Sequence, residues 1–262
     1  MQYSMLEVRF AAHVATVTLN RPDVRNAFNE TTIAELTDAF RQLDARDDVR
    51  AIVLAANGPA FCAGADLNWM KKMATFSDEE NRVDARCLAD MLSAIYRVSK
   101  PVVARVSGDA FAGGVGLVAA SDIVVAVDSA RFCLSEARLG LIAATIAPYV
   151  IRALGERASR RYFTTAEPFD AATALRLGLV HEVVAADALD TRIGKITAAL
   201  CANGPQAVRE SKRLVQDVAG RVLDETLIDD TARRIARIRA SEEGREGVAS
   251  FLEKRAPAWA AH

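Results

Sequence analysis

Residues 100–141, KPVVARVSGDAFAGGVGLVAASDIVVAVDSARFCLSEARLGL, constrain this chain more than any other stretch. The apolar run Val102–Val106 reads as a buried strand, and Pro101, which has no N–H to donate, fits an edge or entry position. The run stops at Ser107-Gly108, and the Ala/Gly-rich residues 110–120 read as a helix. Gly113 and Gly114 stand at the start of that helix, where backbone N–H groups lack partners within it. With no side chain in the way an oxygen can approach those donors, and the helix dipole favours negative charge there. Further on, Glu136 stands alone as an acid in an apolar and basic neighbourhood. Donors first and one carboxylate later is a layout that catalysis can use.

The rest of the chain is organised around this stretch. Residues 6–10 and 13–19 alternate or run apolar with β-branched side chains, a hairpin pattern. The turn NRPDVRNAFN follows, and Asn29 or Thr31 can cap a helix to about residue 46, with Ile33, Leu36, Ala39, Phe40 and Leu43 as its apolar stripe. Ala51–Ala56 is a continuous apolar strand of the kind covered on both faces. The small residues crowded after it, at 57–67, form a ligand loop or a plain turn. Residues 67–77 fit a mobile flap or a surface helix, and 78–99 form an amphipathic helix. Beyond the central stretch, 123–127 and 130–133 read as strands. Helices follow at 144–154, 157–165 and 170–177, the last stopped by Gly178. A last short strand fits 180–184. From 188 to 254 the pattern is helical, broken near Gly204-Pro205 and Ser241. Strand-strand-helix units recur near residues 50 and 100, which argues a largely parallel α/β core. The expected division is a core over 1–200 with a helical C-terminal extension over 201–262.

Composition excludes several functions. The 33 basic and 34 acidic residues leave a net charge of −1, so no global field attracts nucleic acid. No apolar run approaches the length of a membrane span, and the N-terminus lacks a leader pattern. The four cysteines (Cys62, Cys87, Cys133 and Cys201) include no CxxC pair and read as reduced thiols of a cytoplasmic protein. His13, His181 and His262 form no metal-spaced cluster, so no metal site is expected.

The motifs exclude further chemistries. GGVG at 113–116 lacks the G-x-G-x-x-G spacing of a dinucleotide site, and no Gly-Lys-Ser/Thr follows to make a phosphate loop. G-x-S-x-G is absent, and nothing supports a covalent nucleophile. Two Gly/Ala segments after buried strands remain, Ala63-Gly64-Ala65 and Ala112-Gly113-Gly114. Backbone N–H groups from both, aimed at one point, would make an oxyanion hole for a thioester enolate. Small residues at helix starts also serve helix–strand packing, so the spacing leaves both readings open.

FCAGADL at 61–67, KPVVARVSGDAFAGG at 100–114, SDIVVAVDSARFCLSEARLGL at 121–141 and LGLVHEVV at 177–184 resemble the crotonase, or enoyl-CoA hydratase/isomerase, superfamily. The likeness runs from about residue 5 to residue 255 in the same order and spacing. It implies an α/β spiral of ββα units with a helical C-terminal trimerisation region, trimers or dimers of trimers, and an acyl-CoA thioester substrate. Coenzyme A is then part of the substrate, and no separate cofactor is implied. The resemblance assigns the two oxyanion N–H groups to Ala65 and Gly113. It places Ala63, Asp66 and Leu67 along the adenine and pantetheine path, counts Gly64, Gly114 and Gly116 among the substrate-binding residues, and offers Arg25 to a coenzyme A phosphate.

Hydratases of this family commonly carry two glutamates. One matches Glu136; the other falls on Gly116, which has no side chain. Addition of water across a conjugated double bond needs water activated at one carbon and a proton delivered to the other. Glu136 must therefore do both, or another group must help. The segment 142–148 also departs from the family's glycine-rich pattern, and its Thr145 offers a pocket hydroxyl or a helix cap. GADLNWMKKM, GGVGLVAASD, CLSEARLGL and GERASRRYF resemble the bacterial branch acting on glutaconyl-type thioesters, including 3-methylglutaconyl-CoA hydratase of leucine breakdown and isohexenylglutaconyl-CoA hydratase. A cation for the second carboxylate is then expected, from Lys71, Lys72, Arg138 or Arg152. The rival readings are a double-bond isomerase, which needs one carboxylate, and a CoA-binding pseudoenzyme.

Overall fold

The computed structural model describes residues 1–261. Strand β1 (Leu6–Ala11) and strand β2 (Val14–Leu19) form the antiparallel hairpin, and α1 (Glu30–Asp44) follows a turn. Asn29, not Thr31, caps α1, accepting the Thr32 N–H. Three units of one plan come next. In each, a long strand is followed by a short strand and then by a helix or helical turn. They are β3 (Ala51–Ala56), β4 (Ala60–Cys62) and α2 (Leu67–Met73); β5 (Val102–Val106), β6 (Asp109–Phe111) and α4 (Gly113–Ala120); and β7 (Ile123–Val127), β8 (Arg131–Cys133) and the single turn Glu136–Leu139. Helix α3 (Asp78–Arg97) joins the first unit to the second, starting from a capping box between Ser77 and Glu80.

The long strands form a six-stranded sheet in the order β1-β2-β3-β5-β7-β10, parallel except at the hairpin, with β10 (Glu182–Val184) at its edge. The short strands build a second sheet, β4-β6-β8-β9, in which β9 (Phe169–Asp170) pairs antiparallel with β8. Each long-to-short corner stacks on the one before. A Cβ on Gly108 would lie 2.3 Å from the Pro59 carbonyl oxygen, which is why the second corner carries a glycine. This winding is the spiral of ββα units expected from the resemblance, and the fold is the crotonase fold. Core side chains such as Leu36, Phe40, Ile52, Leu54, Met91 and Leu92 are fully buried between α1, α3 and the sheet.

Some boundaries differ from the sequence reading. The residues 110–120 expected as one helix begin as strand β6, paired with β4 and β8, and the helix starts only at Gly113. The three residues of β6 run directly into an Ala/Gly-rich helix, and pairing with β4 and β8 is what sets them apart. Pro101 sits at the entry of a central strand, its carbonyl accepting the Ile52 N–H. Thr145 is not a cap: the residue at the N-cap of α5 (Ala147–Thr165) is Ile146, with no side-chain cap, and the helix breaks at Gly155, whose φ is 76°.

After α6 (Ala171–Leu177), which Asp170 caps, come α7 (Leu189–Ala202), α8 (Pro205–Val218), α9 (Glu225–Ala240) and α10 (Glu242–Leu252). A third break, at 219–224, joins the two expected in the C-terminal helices, and Gly220 with φ 80° makes it. The C-terminal helices are tied to the core through polar contacts. The largely buried Lys212 of α8 donates to Asp122 Oδ2 (2.6 Å) and to the Lys100 carbonyl, while Arg50 reaches the carbonyls of Cys201 and Trp259. Among the described residues no helix is long and apolar enough to cross a membrane.

Candidate active site

The two Gly/Ala segments meet where β4 and β6 end. A Cβ on Gly64, whose φ is 91°, would lie 2.9 Å from the Ala112 Cβ, 3.2 Å from the Phe111 carbonyl oxygen and 3.7 Å from the Gly113 nitrogen. One on Gly114 would lie 2.4 Å from the Cys62 carbonyl oxygen. The glycines are thus required by backbone-to-backbone approach between the segments.

Phe28 organises the first donor. It forms a parallel bridge with Ala65, donating its N–H to the Gly64 carbonyl (2.7 Å) and accepting the Asp66 N–H (2.7 Å). In such a bridge the N–H of Ala65 itself points away from Phe28. The ring of Phe28, fully buried, packs at Gly113, where a Cβ would lie 2.7 Å from its Cε2. One residue therefore fixes the backbone beside both donors. Phe28 was not singled out in the sequence; within NRPDVRNAFN only its apolarity distinguished it.

The second donor lies at an open helix start. Ala112 donates its N–H to the Cys133 carbonyl (2.8 Å) and adopts φ 48°, ψ −119°, a conformation that costs a non-glycine residue about 1–3 kcal/mol. Helix α4 then begins at Gly113 with no side-chain cap; the Val115 N–H bonds the Ala112 carbonyl, and the N–H groups of Gly113 and Gly114 have no side-chain acceptor. Ala65 and Gly113 are half-buried, while Gly64 and Gly114 behind them are buried.

Glu136 follows three residues after the Cys133 that bonds Ala112. It opens the turn Glu136–Leu139, held by the Leu141 N–H on its carbonyl and by Gly140 in the left-handed region (φ 71°). Its Oε2 is buried with no hydrogen-bond partner. Burial pushes its carboxyl above the usual range, against a smaller lowering by its own backbone N–H. A desolvated carboxyl with an unsatisfied oxygen is equipped to take up and return a proton.

The other sequence candidates have definite places. Ala63 donates its N–H to the Arg25 carbonyl (3.0 Å), and the Arg25 side chain is exposed, with no ion pair among the described residues. Leu67 opens α2 and is 74% exposed. Asp66 is committed within the protein: its Oδ1 accepts the N–H groups of Asn68 and Trp69, capping α2, and its Oδ2 pairs with Arg21 at 2.9 Å. Burial raises its carboxyl pKa, but the Arg21 hydrogen bond and the two N–H groups together outweigh that and hold it below the ordinary value. Buried Asn26 clamps the same turn, donating to the carbonyls of Asn57 and Ala60 and accepting the Arg21 N–H.

Gly116 is buried within α4. Of the four candidate cations, Lys72 pairs with Glu30 (2.5 Å), Arg152 donates to the Tyr96 hydroxyl (3.3 Å), and Arg138 donates to the Ala166 carbonyl (2.5 Å). Lys71 is exposed. No cluster of three metal-ligating side chains occurs among the described residues. A cleft of about 780 Å³ opens between α1, α2 and α3, lined by Ile33, Lys72, Phe76 and Val83, but neither donor segment nor Glu136 lines it.

A family model described as "Enoyl-CoA hydratase/isomerase" matches residues 9–262. The chain is 44% identical to an enoyl-CoA hydratase from Shewanella pealeana of known structure, covering 98% of this chain and 97% of that one with a TM-score of 0.96. The enoyl-CoA hydratase structure of Mycobacterium smegmatis is 38% identical, covering 98% and 99%, with a TM-score of 0.92. The enoyl-CoA hydratase ACTT6 of Alternaria alternata is 34% identical over 94% of this chain and 80% of its own.

Proposed function

Because this chain belongs to the enoyl-CoA hydratase/isomerase family and is an enzyme of hydratase type, we propose that it hydrates a branched, glutaconyl-type 2-enoyl-CoA such as 3-methylglutaconyl-CoA, with Glu136 as its acid/base. The N–H groups of Ala65 and Gly113 receive the thioester oxygen. The Glu136 carboxylate takes a proton from water as the water oxygen bonds to the β-carbon. The π pair moves toward the thioester, and the enolate oxygen is held by the two donors, each worth about 3–4 kcal/mol. The enolate then collapses, and the α-carbon takes its proton from Glu136, which returns to the carboxylate. Residues 63–67 flank the thioester and pantetheine, the buried Gly114 and Gly116 let neighbouring segments pack closely behind them, and the exposed Arg25 meets a coenzyme A phosphate.

The observation that carries this reading is the buried, unpartnered Oε2 of Glu136, three residues beyond the Cys133 whose carbonyl accepts the N–H of Ala112, the residue before α4. Arg138, two residues beyond, spends one guanidinium nitrogen on Ala166 and keeps further donors for a substrate carboxylate. The reading includes no separate cofactor, a cytoplasmic location and a homotrimer or dimer of trimers. The exposed Val222, Leu223, Phe251 and Leu252 of the C-terminal region supply apolar surface for such assembly.

Purified protein assayed on 3-methylglutaconyl-CoA and crotonyl-CoA side by side tests the substrate: higher kcat/KM on the former is expected. Glu136→Gln should lower kcat by about 10²–10⁴-fold on either. Near-wild-type turnover by that variant would remove Glu136 from the mechanism. A 3-enoyl-CoA isomerised without hydration would favour the isomerase reading, which the single carboxylate also fits.

Hydration starts from ionised Glu136. Since burial raises its pKa, the rate should fall as pH drops, beginning above the usual carboxylate range. A pH profile of kcat/KM flat down to ordinary carboxylate pH values would contradict this.

A further inference from the structure

The family pattern leaves a question at Gly116: what stands where a second carboxylate would reach the site. A Cβ built on Gly116 would lie 2.3 Å from Ile146 Cγ2 and 2.9 Å from Ile146 Cβ, with Leu92 Cδ2 at 3.5 Å. The collision is with the root of a β-branched side chain, which has little rotamer freedom with which to move aside. Ile146 is itself pinned. It is 1% exposed, and its carbonyl accepts the N–H groups of Tyr149 and Val150 at the start of α5, where Pro148 stiffens the first turn. No side chain, alanine included, enters at 116 unless Ile146 moves.

We propose that Ile146 is a positioning residue that sets the mechanism: by filling the volume beside Gly116 it excludes a second carboxylate and leaves Glu136 to make both proton transfers. Gly116 and Ile146 are then one device, the glycine allowing α5 to close on α4 and the isoleucine holding an apolar wall there. This inference rests on the hydratase chemistry of the fold and is independent of which acyl group the enzyme prefers.

The test is a double-mutant cycle of Gly116→Glu, Ile146→Ala and the pair, followed by thermal midpoint and by the pH profile of kcat/KM. The substrate is crotonyl-CoA or 3-methylglutaconyl-CoA, whichever the wild type hydrates. Gly116→Glu alone should lower the midpoint by several degrees. Adding Ile146→Ala should recover part of that loss even though Ile146→Ala by itself is destabilising, a coupling expected only of residues in contact. The wild-type profile should show one acid limb, and the double variant should become bell-shaped, since two adjacent carboxyls titrate apart.

Additive midpoints would overturn the packing argument. A bell-shaped wild-type profile that Glu136→Gln leaves with one ionisation would show another acid at work and overturn the mechanistic one. So would a folded double variant that keeps a single limb. Should Gly116→Glu fail to fold, Gly116→Ala with and without Ile146→Ala reads the same coupling. Preference between the two thioesters, tested separately, leaves these outcomes unaffected.

Discussion

Two corners of this molecule share a plan and end differently. At the first, β4 runs through Ala63-Gly64-Ala65 into α2; at the second, β6 runs through Ala112 into α4. The first helix start is closed by its own chain, because Asp66 accepts two of its N–H groups and is neutralised by Arg21. The second has no side-chain cap and reaches its helix through a strained Ala112. The closed start ties the backbone after Ala65 to Asp66, while the open one leaves the start of α4 without a side-chain cap, as the proposed oxyanion site needs. The difference teaches that donors at one site can be prepared by opposite means, one by satisfying its neighbours and one by leaving its helix unsatisfied.

The comparison can be broken from either side. The largest effect is expected from Gly114→Ala, whose methyl would meet the Cys62 carbonyl oxygen at 2.4 Å. Pushing α4 off β4 should cost about 1–3 kcal/mol in denaturant unfolding and lower kcat by about 10²-fold or more as the donors lose register. Unchanged kcat in a folded Gly114→Ala protein would show that the open corner is not the oxyanion site. Gly64→Ala should follow, since it meets both a positive φ and the Ala112 methyl at 2.9 Å. About 1–2 kcal/mol of stability is at stake there, with a smaller fall in kcat.

The smallest effect belongs to Asp66→Ala, which removes a cap worth about 1 kcal/mol. It should lower kcat less than Gly64→Ala does, because the Ala65 donor loosens while α4 and Glu136 stay in place. A kcat loss matching that of Glu136→Gln would instead give Asp66 a direct chemical role.

Much of this architecture was legible in the sequence. The hairpin, the apolar strands Ala51–Ala56, Val102–Val106 and Ile123–Val127, and the amphipathic helices carry periods long enough to read. Gly64, Gly113 and Gly114 marked close backbone approach, and Glu136 stood out as an isolated acid. The short strands β4, β6 and β9 were read as loop or helix start, because their Gly- and Ala-rich or helix-capping surroundings mask a pairing made with distant strands, whereas the equally short β8 and β10 follow apolar runs and were read as strands. Asp66 could be placed beside the site, but that its carboxylate serves Arg21 and α2 depends on a turn 45 residues earlier in the chain.

What the sequence by itself determined is local: where small residues follow buried strands, where one acid stands among apolar and basic residues, and that residue 116 carries no side chain. Those follow from residue type and near neighbours. Only the tertiary structure decided that Phe28 bridges one donor segment and packs on the other, and that Ile146 occupies the space beside Gly116. Both are contacts between residues far apart in the chain, set by how α4 lies against the 25–28 turn and the start of α5. An empty position in the sequence thus became a filled one in the fold, because Ile146 packs where a side chain at 116 would stand.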